Sequence, residues 1–370
     1  MYRIKITILI LLLSLLSTVS SASNAPRVAL LISHHGGAEA PSLNYDLEEL
    51  AQVYLVLADN GVALELVSPR GGSVFVASNK DKLDYIQRFK QQTPALQQLG
   101  NTYSAQQALN RDYDAIFIIG GDGAMFDLPN HEATQAFISR FAGAGWPIAA
   151  VCHGPAALVN VRDKNGEYLV SGKRVNGFTR LEDQAFSGEL LSQFPFILQD
   201  KLEQRGAKFV SNAPMLPFVA VDGNLITAQN PMSVADAAES LLIKLGRKPI
   251  EREPFKEEAT MKLISMARAM GPAVITRAVK ISPNDYDMQY LALYGFYSYG
   301  LAQNEQEKVT ELGIKAEINK HFSHPQYMAS LIQAYVEQDQ MQSAKTIYGQ
   351  LKAQYPKFGS LASLSSLISP

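Results

Sequence analysis

A single cysteine, Cys152, stands in a chain of 370 residues, so no internal disulfide can form. Neither charge sign is in excess: 33 basic residues face 35 acidic ones, a formal net charge of −2. Nothing in that balance attracts nucleic acid or an anionic membrane surface, and no nucleic-acid partner is expected. Charged residues make up 18% and hydrophobic ones 47%, which excludes a disordered chain and suits a globular one with a sizeable core. Long apolar runs are also scarce. The main one, Ile6 to Leu16, is interrupted only by Thr7 and Ser14 and is too short to span a bilayer comfortably.

That run follows the cationic start Met1-Tyr2-Arg3-Ile4-Lys5 and precedes Ser20 and Ala22, small residues at signal-peptidase spacing. Residues 1–25 therefore read as a signal peptide, with export to a periplasm or its equivalent expected and an uncleaved membrane anchor as the alternative. No cysteine follows the run, which argues against a lipoprotein anchor. A lone thiol in an oxidising compartment asks for a reason, either burial or chemistry.

From Val28 onward, short β-branched runs alternate with amphipathic stretches. Val28 to Ile32, Val62 to Val67, Tyr113 to Ile119 and Pro147 to Val151 read as strands. Leu47 to Asn60 has helical spacing with Gly61 at its C-terminal end, His131 to Ala144 reads as a helix, and residues 80 to 110 read as polar and helical. Residues 219 to 228 suggest a late hairpin, followed by a helix from Ser233 to Leu245. The alternation implies a parallel sheet covered on both faces. After Gly246 the strands stop. Pro249 to Pro254 reads as a charged, proline-bracketed linker, and 255–370 as a smaller all-α domain supplying no catalytic group. Its tyrosines (Tyr286, Tyr290, Tyr294, Tyr297 and Tyr299) are expected to pack a core of their own. A faint echo of Tyr290, Ala292, Lys315 and Ala316 in Tyr327, Ala329, Lys352 and Ala353 has a spacing near the roughly 34-residue tetratricopeptide repeat. A plain helical bundle fits as well.

The chemistry concentrates at Ala149-Ala150-Val151-Cys152-His153-Gly154-Pro155-Ala156. An apolar strand ends at a Cys-His pair and small residues open the next helix, which puts the thiol on a sharp, exposed turn. A helix N-terminus there is expected to depress the thiol pKa and offer amides to a developing oxyanion. The pair His34-His35 invites a metal reading, but adjacent strand residues face opposite ways, so no metal is expected. Asp127 and Glu132 read as capping or surface acids.

Ala150-Val151-Cys152-His153-Gly154-Pro155 resembles the nucleophile elbow of the ThiJ/PfpI superfamily, most closely the branch of heat-shock chaperones that act as glutathione-independent glyoxalases. Three more segments agree in order. Leu47-Glu48-Glu49-Leu50-Ala51 resembles the branch's early helix, which implies Glu49 as the glutamate reaching the nucleophile. Gly120-Gly121-Asp122-Gly123 resembles its Gly-Gly-His-Gly segment, implying an oxyanion hole from the Gly121 and His153 amides, with Asp122 departing from the usual histidine. That carboxylate would disfavour anionic substrates. Val175 to Asp183 resembles a segment ending in paired acids, which implies Asp183 as the third triad member and leaves Glu182 as the alternate acid. The implied fold is an α/β flavodoxin-like parallel sheet sandwiched by helices over 26–248, carrying a nucleophile elbow.

The resemblance implies a cysteine enzyme without cofactor, turning small reactive aldehydes such as methylglyoxal into 2-hydroxy acids, or acting as a deglycase. Two other classes stay open: a chaperone or thiol sensor that uses the helical region to meet protein partners, and an amidase, peptidase or amidotransferase. A homodimer is a further expectation. An early acid beside the thiol separates aldehyde chemistry from acyl transfer, since acyl transfer does not require it.

Overall fold

The computed structural model describes residues 25–74, 76 and 81–369. The expected export segment, 1–25, therefore lies outside the described residues except for Ala25. Among the described residues nine strands form in chain order: β1 (Arg27–Leu31), β2 (Ala63–Ser68), β3 (Tyr103–Ser104), β4 (Ala115–Ile118), β5 (Ile148–Val151), β6 (Arg174–Val175), β7 (Lys208–Phe209), β8 (Val219–Asp222) and β9 (Leu225–Ala228). Seven of them make one sheet in the order β3-β2-β1-β4-β5-β9-β8, parallel throughout except for the β8–β9 hairpin. β6 and β7 form a separate parallel pair.

Alternation along β1 shows how the sheet is buried. Val28 and Leu30 join one core with the Leu47–Asp59 and Val234–Lys244 helices, while Ala29 and Leu31 join the opposite core with the Glu132–Ala144 helix. Both faces are covered, as near-continuous apolar parallel strands require. The region read as one polar helical stretch, 80 to 110, is instead three short helices (Asp84–Lys90, Thr93–Leu99 and Ala105–Ala108) with β3 between the last two. Connections leave β1 toward β2 on one side and β4 toward β5 on the other. A crevice opens at that reversal, above the carboxyl ends of the strands.

Beyond β9 every regular element among the described residues is helical, with seven α-helices from Lys256–Met270 to Leu361–Ile368. They do not stand apart from the sheet unit. Met215, Leu216 and Met232 share one apolar cluster with Met261, Ile264, Leu291 and Tyr294. Arg252, in the proline-bracketed stretch, is held by Glu239 at 2.9 Å and Glu258 at 2.8 Å. Tyr290 also departs from the reading of a self-contained tyrosine core: its hydroxyl donates to Glu48 of the first helix at 3.1 Å. Its sequence counterpart Tyr327 is placed differently, donating to the Lys315 carbonyl within the helical core.

Candidate active site

β5 is apolar and fully buried, and the chain leaves it through Cys152 at φ +57°, a left-handed conformation that a non-glycine residue adopts only when its surroundings impose it. Two hydrogen bonds do so. The Cys152 amide donates to the Ala228 carbonyl at 2.9 Å, and the Cys152 carbonyl accepts from Phe178 N–H at 2.8 Å. The next turn must lie close to β4: a Cβ on Gly154 would stand 2.6 Å from the Ile118 carbonyl oxygen. The expected helix there is a five-residue 3₁₀ turn, Gly154–Leu158, too short to carry the dipole of a full α-helix.

Glu49 meets the thiol from the opposite wall. Asp46 caps its helix by accepting the Glu49 amide at 3.0 Å, which fixes the first turn with Glu49 pointing inward. The fully buried Glu49 carboxyl lines the cleft beside the Cys152 thiol and accepts the Gly120 amide at 2.7 Å. Gly120 is the spacer that permits this approach, since a Cβ there would lie 2.7 Å from Val151 O, 2.8 Å from Glu49 Oε2 and 2.9 Å from Cys152 Cβ. Glu48 turns the other way, accepting Tyr85 and Tyr290 hydroxyls at 3.0 and 3.1 Å.

Burial and the nearby Asp46 push the Glu49 pKa well above the ordinary glutamate range; the neighbouring thiol and the Gly120 amide oppose this only in part. The Cys152 thiol moves the same way. The sequence suggested a depressed thiol pKa, but burial first, and then the carboxylates of Glu49 and Asp46, push it up. The reversal has two physical causes: the following turn is too short to act as a positive helix end, and the groups around the sulfur are acids. Thiol and carboxyl therefore behave as a coupled pair competing to keep their protons.

His153 lies beneath the cleft with its ring edge against Phe178 and Phe194. Its Nε2 faces Asp183 Oδ1 at 2.9 Å, and its Nδ1 faces Asp122 Oδ1 at 3.4 Å. Asp183 also accepts the Ser187 hydroxyl at 3.2 Å. Glu182, the alternate acid, points elsewhere. It completes the capping box with Thr179 and accepts from Met215 N–H, Asn230 and Gln229, tying three loops together. Gly121 takes φ +91°, and it and His153 border the cleft; among the described residues neither amide donates to a protein acceptor.

The cleft encloses about 310 Å³, and the lining includes Cys152, Glu49, Asp122 and Phe178. No cluster of three or more metal-ligating side chains occurs among the described residues. His34 and His35 diverge: the His34 amide donates to Asp127 and the His35 ring stacks on Phe126. Asp127 is no surface cap. It also accepts the Ser33 hydroxyl at 2.8 Å, locking the turn after β1, and burial raises its pKa to about 6.

A strained cysteine at a strand end above a parallel sheet, backed by His-Asp and faced by a buried glutamate, defines a class of α/β cysteine proteins. The chain belongs to the DJ-1/PfpI family, whose model matches residues 44–244. Glyoxalase 3 from Candida albicans is 32% identical over 153 residues, covering 39% of this chain and 63% of the relative. Glutathione-independent glyoxalase hsp3102 from Schizosaccharomyces pombe is 32% identical over 153 residues, covering 40% and 64%. The chain thus spans a little under two thirds of the length of these relatives. Among solved structures, the Rapid Encystment Protein 24 KDa of Francisella tularensis superposes with a TM-score of 0.53 at 29% identity, covering 60% of this chain and 99% of that one.

Proposed function

We propose that this protein is a glutathione-independent glyoxalase that converts a 2-oxoaldehyde, with methylglyoxal as the simplest case, into a 2-hydroxy acid. The observation that carries this reading is the buried Glu49 carboxyl held beside the Cys152 thiol, both lining the cleft. The similarity to two proteins named as glyoxalases supports it.

In this reading Cys152 Sγ bonds to the aldehyde carbon C1 as the C1–O1 π bond opens, and the thiol proton passes to Glu49. The Gly121 and His153 amides stabilise the oxygen that gains charge, before Glu49 returns the proton to O1. Moving the C1 hydrogen to C2 as a proton, through an enediolate, turns the hemithioacetal into a thioester. Water then cleaves the C1–S bond and releases the hydroxy acid. C1 is oxidised and C2 reduced within one molecule, so the step balances without an external redox partner. A carboxyl with a raised pKa suits both transfers, because its carboxylate is a stronger base toward the thiol proton and its acid form then returns that proton to O1.

Acyl transfer on the same thiol has no need for Glu49, and one preparation can decide between the two. Glu49→Gln is expected to abolish methylglyoxal turnover while the fold persists by circular dichroism. Turnover near the wild-type rate would show the aldehyde mechanism to be wrong. We propose also that residues 1–25 direct export, on the basis of their composition. N-terminal sequencing of the protein recovered from the expressing cell tests this: cleavage near Ala22 is expected, and an intact Met1 would contradict it.

A further inference from the structure

The aldehyde reading requires a group that carries a proton from C1 to C2, and His153 is poorly placed to be that group. Its side chain is only 3% exposed, and both ring nitrogens face carboxylates. The Asp122 side chain, 38% exposed, opens onto the cleft that Cys152 also lines. His153 Nδ1 faces Asp122 Oδ1 at 3.4 Å, so the two groups are in electrostatic contact at the edge of the cleft. Asp183, on the far nitrogen at 2.9 Å, fixes the ring in place behind Asp122. Asp122 thus presents a carboxyl edge to the substrate with a fixed imidazole behind it.

We propose that Asp122 is a catalytic residue, which stands at the cleft-facing end of the Asp183–His153–Asp122 contacts and moves the proton from C1 to C2 of the thiol-bound aldehyde. The assignment rests on the glyoxalase reading. With the hemithioacetal formed, the Asp122 carboxylate takes the C1 proton. The C–H electron pair becomes the C1–C2 double bond, and the C2–O2 π pair moves onto O2. The Asp122 carboxyl then returns its proton to C2 while the O1 proton passes to O2 and C1–O1 becomes a carbonyl. Asp122 ends as it began, and between the two transfers the negative charge lies on O2 of the enolate.

Besides His153, the other ionisable groups lining this space are Cys152, Glu49, Glu48, Asp46 and Tyr45, and all five are acids. Burial raises the Asp122 pKa; the His153 charge pulls against this and Asp183 adds to it. That shift strengthens the carboxylate as a base for a weakly acidic C–H bond. Nothing in the chain's spacing announced this role, because the position reads as a departure from the segment it resembles.

The test compares the full-length wild type with Asp122→Asn and Asp122→Glu, using methylglyoxal in glutathione-free buffer. Two quantities are followed: turnover against pH, and protection of Cys152 from iodoacetamide by the aldehyde, which reports hemithioacetal formation. Asp122→Asn is expected to lower turnover by roughly 10²- to 10⁴-fold, the usual range for an acid–base group. Protection should stay at the wild-type level, the acidic limb of the pH profile should lose the Asp122 contribution and keep that of Glu49, and Asp122→Glu should recover part of the rate. Turnover by Asp122→Asn within about threefold of an active wild type would overturn the assignment alone. So would parallel loss of protection and turnover, which would mean that Asp122 only shapes the site. A wild type inactive on methylglyoxal would refute the aldehyde reading and this assignment with it.

Discussion

Gly120→Ala puts the geometry of the thiol–carboxyl pair under direct strain. The new Cβ would sit 2.7 Å from Val151 O, 2.8 Å from Glu49 Oε2 and 2.9 Å from Cys152 Cβ. Ordinary contacts start near 3.4 Å, so three overlaps of about half an ångström or more must be relieved at once. Val151 belongs to a strand paired on both sides, and the Cys152 backbone is held by Ala228 and Phe178, so the Glu49 carboxylate is the group free to yield. Its displacement breaks the 2.7 Å bond from the Gly120 amide and pulls the acid from the thiol. Overpacking of this kind costs about 1–3 kcal/mol, and a catalytic group moved by about 1 Å loses about 10²-fold in rate. Gly143→Ala is the matched control. It lies inside the Glu132–Ala144 helix, where an added Cβ meets nothing within 4 Å, so the variant should gain roughly 0.5–1 kcal/mol and keep its rate. Thermal unfolding and methylglyoxal turnover measure both variants. If Gly120→Ala matched the control in stability and rate, the claim that this glycine makes room for the Glu49–Cys152 contact would be refuted.

Three other outcomes follow from the site. Iodoacetamide labelling of Cys152 should have its midpoint above the free-thiol value of roughly 8.5, and Glu49→Gln should lower it by removing a neighbouring negative charge; a wild-type midpoint at or below that value would contradict the acidic environment described for the sulfur. Glu49→Gln should also stabilise the fold as it destroys activity. Because the folded pKa of Glu49 is raised, the native state holds its proton more tightly than the unfolded chain, and the contribution of Glu49 to stability falls as pH rises above about 4.3. The variant's advantage in melting temperature should therefore grow from pH 4 to pH 8, and an advantage confined to acid would show the sign to be wrong. Truncation after Gly246 removes Tyr290 from Glu48 and bares Met215, Leu216 and Met232; reduced solubility and turnover are expected, and a stable fragment with full activity would refute the structural dependence.

Strand alternation, turn glycines and the run into Cys152 made the parallel sheet and its elbow legible from the chain alone, because each depends on neighbours in sequence. Glu49 was legible only through resemblance. Helical periodicity places it beside Glu48, yet only the Asp46 cap and the Gly120 gap decide which of the two turns toward sulfur. The direction of the thiol pKa was misread from local pattern, since it depends on acids brought in by separate elements and on a turn that closed as 3₁₀ rather than α. Tyr290 reaches Glu48 across 242 residues, and no periodicity signals such a contact. Asp127 likewise looked like a surface acid until its partners Ser33 and His34 were brought to it by β1.

The most direct test of the central claim is lactate formation from methylglyoxal by the purified protein, without glutathione or added cofactor, in the wild type and in Cys152→Ala. The account predicts steady turnover in the wild type and none in the variant. An inactive wild type, or a Cys152→Ala protein that still forms lactate, would contradict it.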